Sequence, residues 1–197
     1  MDNIHISAPP GVGKTSICLT NSRTVLMEGG RVFWVSREEL NHERFSQIMS
    51  GIPISKASKF HLLSFGDENT KNEFGSIIQQ LIRMSTSLES TKLVIIDGWD
   101  SNITPLEKKY RLDGISKLAK ASKNSFDLYI TSLAYENAGN SSEKYKIRAA
   151  NEFEKMGFEN WLIVPHSKNE GIKKIIKSNE EMYYVLNSKG IEFVESL

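Results

Sequence analysis

The amino-acid sequence predicts an α/β fold, with a mainly parallel, twisted sheet flanked by helices and antiparallel strands at its C-terminal end. Three observations carry that expectation. Short apolar runs alternate with longer amphipathic stretches, the pattern of strands joined by crossover helices. Past Leu133 the spacing shortens, and three apolar runs lie close enough together for antiparallel hairpins. A glycine-containing turn separates the first apolar run from the first helical stretch.

Taken in order, strands are expected at Asn3 to Ser7, Arg31 to Ser36, Phe60 to Phe65, Lys92 to Asp97 and Phe126 to Leu133, each bounded by turn or cap residues. Helices are expected between them, near Thr15 to Glu28, Asn41 to Ser50, Asn69 to Glu89 and Leu106 to Ser122. A polar loop from Tyr135 to Lys146 contains Asn137, Gly139, Asn140, Ser141 and Ser142, a composition that makes it the least ordered segment. It follows the carboxyl end of a strand, where open α/β sheets bind ligands. A helix from Arg148 to Met156 then leads into the runs Asn160 to Pro165, Gly171 to Lys177 and Met182 to Asn187, and a short strand near Ile191 to Val194 completes the sheet.

At 197 residues the chain suits one domain with a full core. Residues 1–133 are expected to hold the first strands and helices, 134–147 a mobile loop, and 148–197 the C-terminal helix and hairpins. Lys and Arg total 25 against 24 Asp and Glu, a net charge of +1, so no bulk field draws the chain to nucleic acid and any polyanion site must be a local patch. The single cysteine, Cys18, cannot form an internal disulfide and reads as a small core residue. No apolar run reaches the roughly 18 to 20 residues of a membrane span, and the N-terminus lacks the pattern of a secretory signal. The expectation is a soluble, cytoplasmic protein.

The segment Ala8-Pro9-Pro10-Gly11-Val12-Gly13-Lys14-Thr15 fits the P-loop pattern, with Ala where the first Gly commonly stands. It follows an apolar strand and opens a helix, the context the motif requires. Glycines let successive N–H groups converge on phosphate oxygens, and the helix N-terminus adds its positive dipole end. Pro10, Gly11, Val12, Gly13, Lys14, Thr15 and Ser16 are therefore the expected nucleotide contacts, with ATP and Mg²⁺ as cofactors. Lys14 supplies a point charge to the β- and γ-phosphates, Thr15 a hydroxyl to Mg²⁺, and Ser16 lies near the α-phosphate.

Leu93-Val94-Ile95-Ile96-Asp97 is an apolar run ending in a carboxylate, as in a buried parallel strand that delivers an acid to the Mg²⁺ shell; a plain strand-end cap is the alternative. At the end of Val32-Phe33-Trp34-Val35-Ser36-Arg37-Glu38-Glu39, Glu38 is the expected catalytic position, a general base for the attacking water. Either Glu38 or Glu39 can instead serve as a helix N-terminal charge.

These features, in this order, resemble the RecA-like recombinase superfamily, and within it the archaeal RadA and RadB group. The most specific stretch runs from Glu28 through Gly29-Gly30-Arg31-Val32-Phe33-Trp34-Val35-Ser36-Arg37 to Glu38, followed by His42-Glu43-Arg44-Phe45-Ser46-Gln47-Ile48, where His42 replaces the family's proline. Thr131-Ser132-Leu133-Ala134-Tyr135 is similar to the family's Thr-Asn-Gln-Val segment, and Ser188-Lys189-Gly190-Ile191-Glu192 to its final strands. The resemblance implies a RecA-like ATPase core, ATP binding and hydrolysis, and DNA and recombination proteins as partners. Four departures stand out. The sequence opens on the phosphate-loop strand, so the helical DNA-binding domain and linker of full recombinases are not expected, nor are autonomous filaments. The family's phosphate-sensing glutamine falls at Leu133, which has no polar side-chain atom. The Lys-His-Arg run expected near the C-terminus appears as Lys177-Ser178-Asn179, and Gly98 takes the place of a serine.

For nucleic acid, Lys144, Lys146 and Arg148 close the polar loop in the position of the family's second DNA-binding loop. Lys108, Lys109, Arg111, Lys117, Lys120 and Lys123 lie on one helical region, where a solvated helix face is the competing reading. Tyr135 and Tyr145 can stack on bases or anchor the loop. Trp99 reads as a packing residue, and Trp34 and Trp161 as core. The histidines show no metal-ligand spacing with cysteine or carboxylates. The leading expectation is a weak Mg-dependent ATPase that assists recombination or repair by binding a recombinase or DNA. The rivals are a KaiC-like module in which nucleotide sets a homo-oligomeric interface without DNA, and a nucleotide-binding scaffold without turnover.

Overall fold

The computed structural model describes residues 1–65, 73–101, 103–137, 144–178 and 180–194. The start of the helix expected from Asn69, the loop residues Gly139 to Ser142, and Asn179 lie outside the described residues. The elements are β1 (Asn3–Ala8), α1 (Lys14–Met27), β2 (Arg31–Ser36), α2 (His42–Met49), α3 (Ile54–Ala57), β3 (Phe60–Ser64), α4 (Glu73–Ser87), β4 (Thr91–Asp97), α5 (Pro105–Ser122), β5 (Asp127–Leu133), β6 (Tyr135–Glu136), β7 (Tyr145–Lys146), α6 (Ala150–Lys155), β8 (Glu159–Pro165), β9 (Ile172–Ile176), β10 (Glu181–Asn187) and β11 (Gly190–Val194).

Among the described residues these strands form a nine-stranded sheet in the order β11-β10-β9-β8-β1-β5-β4-β2-β3. From β8 to β3 every pairing is parallel, and β8, β9, β10 and β11 pair antiparallel. The architecture is therefore α/β, mainly parallel, with an antiparallel C-terminal extension. Strand β1 sits between two parallel neighbours, so its residues are buried on both faces: Ile4, Ile6 and Ala8 join the cluster under α1, while His5 and Ser7 face the other side. Strand β4 alternates likewise, Leu93 and Ile95 toward the α1 side, Val94 and Ile96 toward α4 and α5. Cys18 lies fully buried in the α1 cluster. Trp34 and Trp99 are fully buried, whereas Trp161 is only partly covered and its indole N–H donates to Glu159.

Local chemistry shifts some boundaries from the sequence reading. Helix α5 begins at Pro105 because Thr104 and Glu107 form a reciprocal capping box, Thr104 Oγ1 accepting from the Glu107 N–H and the Glu107 carboxylate from the Thr104 N–H. Helix α6 begins only at Ala150, since Ala149 at φ 53° is not helical. The turn of helix at α3 is too short to carry a periodic pattern. The segment expected as an open loop from Tyr135 to Lys146 is paired at both ends: β6 and β7 form an antiparallel ribbon, Tyr135 opposite Lys146 and Glu136 opposite Tyr145. Among the described residues no helix is long and apolar enough to cross a membrane.

The C-terminal hairpin is anchored to α1. Thr20 Oγ1 donates to the Ser16 carbonyl and accepts from the Ile191 N–H, and it leaves no room beside Gly190. A Cβ at Gly190 would lie 2.2 Å from Thr20 Oγ1, on a backbone at φ 121°. Gly190→Ala should therefore destabilise the fold by about 2 to 4 kcal/mol, combining overlap and backbone strain. Urea denaturation measures it: Thr20→Ala in the same chain should recover the overlap part and leave the strain, and simple additivity of the two changes would contradict this packing.

Candidate functional site

The carboxyl ends of β1, β4 and β5 meet the N-terminus of α1. After Ala8 the chain turns through Gly11 at φ 79° and Gly13 at φ 98°, left-handed conformations that cost glycine little. Gly13 is the N-cap of α1, which has no side-chain cap and no acidic residue in its first turn. The orphan N–H groups and positive dipole end of α1 thus face the cleft without a carboxylate cap. The turn is held from below: Val12 is buried, its carbonyl accepts from the Tyr184 hydroxyl of β10 at 2.6 Å, and a Cβ at Gly13 would come within 2.7 Å of Leu186.

Next along α1, Thr15 Oγ1 donates to Asp97 Oδ2 at 3.0 Å, while the other carboxylate oxygen accepts from Thr131 Oγ1 at 2.5 Å. Thr131 in turn accepts from the Gly98 N–H at 2.8 Å. Burial pushes the Asp97 carboxyl above its ordinary range, opposed by these hydroxyls and by Lys14. Lys14 is pulled below the usual lysine range by desolvation, and the carboxylates of Asp97, Asp100 and Glu38 oppose that fall. A cleft of about 310 Å³ is lined by Lys14, Thr15, Glu38, Asp97, Asp100 and Leu133, among others. A second hollow of about 510 Å³ shares Lys14 and Thr15 and adds Gly11, Gly13, Ser16 and Arg44.

The structure places Lys14, Thr15, Asp97 and Glu38 around the first hollow and Gly11 and Gly13, with Lys14 and Thr15, around the second. Glu39 lines the same cleft. Neither glutamate is a helix-terminal charge: α2 is capped by Asn41 and its first-turn acid is Glu43. Pro10 is exposed at the outer lip of the turn, Val12 points into the core, and the Ser16 hydroxyl accepts from Arg44 Nε at 3.0 Å. Lys144 and Lys146 are exposed on the ribbon, but Arg148 turns inward to Asp100, 2.7 Å away. The cations on α5 are partly engaged: Lys108 pairs with Glu152, Lys117 with Asp113, and the buried Arg111 donates to the Trp99 carbonyl.

The sequence reading had given four residues no role in the site. Arg44 fans across Ser16 and the carbonyls of Asn187 and Gly190, tying α1 to the β10–β11 turn. Tyr184, Thr131 and Asp100 support the turn, the carboxylate and the rim. Only Thr131 left a local signal, as a polar residue near the end of an apolar strand. Among the described residues no group of three or more His, Cys, Asp or Glu side chains is arranged to hold a metal ion, so a cation here would rest on Thr15, Asp97 and ligands from outside the chain.

Behind the cleft lies a buried polar chain. Asn160 Nδ2 donates to the Ala150 carbonyl, which aims Oδ1 at His5 Nδ1, 2.8 Å away; Nδ1 therefore carries the proton, and Nε2 accepts from Ser132 Oγ at 2.9 Å. The imidazole stacks on Phe153 at 3.7 Å. No protein-family model matches the chain, and no curated protein matches it.

Burial lowers the His5 pKa to about 4, from 6.5. The unfolded chain therefore binds a proton that the native state refuses, and His5 costs stability as pH falls from 6.5 through 4, by at most about 3 kcal/mol. Chemical denaturation across that window should give a steeper pH profile for the parent than for His5→Gln. Parallel profiles would mean that the imidazole is charged in the folded protein.

Proposed function

We propose that the chain is a P-loop protein that binds Mg-ATP and hydrolyses it slowly, with a RecA-like core. The single observation that carries this reading is the juxtaposition of Lys14, Thr15 and Asp97 at an uncapped helix N-terminus with two left-handed glycines before it. A helix N-terminus, a lysine and a threonine bonded to a buried strand-end aspartate make a set suited to a phosphate chain and a hard cation. Mg-ATP would supply the scissile anhydride and the metal charge that neutralises its oxygens.

Within that reading, the Gly11 to Ser16 turn and the Lys14 ammonium hold the phosphates. Thr15 and Asp97 hold the cation, Asp97 being fixed by Thr131 so that its carboxylate need not reorganise. Glu38 orients a water and takes its proton at the carboxylate. The resemblance to the RadA and RadB group supports a role as an accessory of recombination or repair, acting with a recombinase or with DNA. One observation favours the rival reading of a nucleotide-switched assembly module: Arg148, one of the three loop cations, is spent on Asp100 inside the fold.

Two measurements test the reading. Lys14→Ala should weaken Mg-ATP binding by at least about thirtyfold, the loss of a charge-assisted contact worth about 2 kcal/mol. Glu38→Gln should leave binding intact and slow phosphate release by about a hundredfold or more. Calorimetric titration and steady-state phosphate release with and without single-stranded DNA provide the numbers. Binding indifferent to Lys14 would reject the phosphate site, and turnover indifferent to Glu38 would reject the base. Stimulation by DNA would favour the recombination role, and an ATP-dependent change in mass without DNA binding the rival.

A further inference from the structure

Strand β10 reaches the glycine turn with two side chains of one face. Tyr184 and Leu186, two residues apart, both project to the α1 side of the sheet. The Tyr184 ring is fully buried there, and its hydroxyl donates to the Val12 carbonyl at 2.6 Å. Burial raises the Tyr184 pKa, so the phenol keeps the proton it donates. Leu186 packs so closely on Gly13 that a Cβ there would lie 2.7 Å from its Cδ2, and only glycine fits at the position. The Val12 side chain is buried in the same apolar cluster.

The peptide joining Val12 to Gly13 is trans, so its carbonyl and its N–H point in opposite directions. With the carbonyl drawn inward by Tyr184, the Gly13 N–H is aimed outward, to the side where Gly11, Gly13, Lys14, Thr15 and Ser16 border the second hollow. Gly13 stands at φ 98°, and glycine accepts positive and negative φ about equally, so Gly13 itself resists little if the peptide plane before it turns over. Deleting the phenolic hydroxyl leaves the Val12 carbonyl buried without a partner. Turning that carbonyl out to water relieves the cost and carries the N–H inward, away from the hollow.

We propose that Tyr184 is a positioning residue for the phosphate site, fixing the Val12–Gly13 peptide so that the Gly13 N–H is presented to a phosphate oxygen. The inference rests on the phosphate reading of the cleft and adds to it a residue 172 positions from the carbonyl it holds. An N–H held in place before the ligand arrives makes its charge-assisted bond without an ordering cost. The phenol acts only through the peptide. Tyr183, the next residue, provides the control, since it projects from the opposite face of β10 and gives its hydroxyl to Glu181 at 2.8 Å.

Valine is followed by glycine once in the sequence, at Val12-Gly13, so isotopic labels placed together on valine carbonyl carbons and glycine nitrogens select this one amide in an NMR spectrum of the full chain. Mg-ATPγS affinity and the urea midpoint are measured on the same samples. In the parent, saturating Mg-ATPγS should move the Gly13 amide proton downfield, the mark of a hydrogen bond to an anionic oxygen. Tyr184→Phe should weaken binding about tenfold and remove most of that movement. Tyr184→para-aminophenylalanine, which donates an N–H in place of the O–H, should restore both, and Tyr183→Phe should match the parent. A role confined to packing would lower the urea midpoint of Tyr184→Phe and leave its affinity and amide movement at parental values. That result overturns the positioning role and leaves the nucleotide reading standing, as does a parent that binds Mg-ATPγS with no movement of the Gly13 signal. If Tyr184→Phe does not fold, the para-aminophenylalanine protein must show the parental movement, and its absence with nucleotide bound overturns the proposal. A parent that binds no Mg-ATPγS overturns the nucleotide reading and the inference together.

Discussion

Asp97 is the point on which the site depends. It is a carboxylate at the end of a buried strand, and an ionised group there is costly unless its oxygens are satisfied. The chain satisfies them with two threonine hydroxyls from different elements, Thr15 at the head of α1 and Thr131 near the end of β5, and Thr131 is oriented in turn by the Gly98 N–H. Three elements that are distant in sequence are thus brought into register at one carboxylate. The loop before Thr15 and the rim after Thr131 take their positions from that register. Lys14 then lies among three carboxylates, which oppose the fall in its pKa that burial causes.

Sheet order supplies the space. Because the chain leaving β1 runs through α1 to β2 on one side, past β5 and β4, while the chain leaving β5 runs to β8 on the other, the carboxyl ends of β1 and β5 border a crevice. The antiparallel extension closes the opposite flank. Tyr184 holds the Val12 carbonyl, Leu186 packs against Gly13, and Arg44 joins Ser16 to the β10–β11 turn, so the glycine turn is braced by residues more than 140 positions away in the chain. A flexible turn of this composition would otherwise lose much backbone entropy on ordering. Its shape is set before any ligand arrives, and less of a ligand's binding energy goes into ordering it.

The parts of this arrangement legible in the sequence are those that local chemistry dictates. The apolar runs of β1, β2, β4 and β5 show as strands because both faces are buried, and Gly11 to Thr15 shows as a turn into a helix because those residue types suit little else. Asp97 and Glu38 were visible because each ends such a run. Tyr184, Asp100 and His5 were not visible, since each acts across more than 30 residues and has an ordinary sequence neighbourhood, and Arg44 showed only as part of the His42 to Ile48 stretch, without its bonds to Ser16 and the β10–β11 turn. The ribbon was hidden for another reason: two-residue strands carry no period, and the residues between them have the composition of a loop. Arg148 read as a surface cation because nothing beside it in sequence announces a buried acid.

Leu133 shows how a polar link can be made at a strand end without a polar side chain. Leu133 is 40% exposed, so it adds little to the core, and its side chain offers no hydrogen bond to the cleft. Its peptide groups do offer them, and both are used, the N–H by Asp100 and the carbonyl by Arg148. Main-chain groups at a strand end are more rigid than a long amide side chain, because the strand has already fixed their φ and ψ. A link made from them costs less entropy and transmits displacement directly to the next residues, here Ala134 and Tyr135. The arrangement demands a buried acid and a forked base in fixed places, and Asp100 and Arg148 meet that demand from opposite sides of the same peptide.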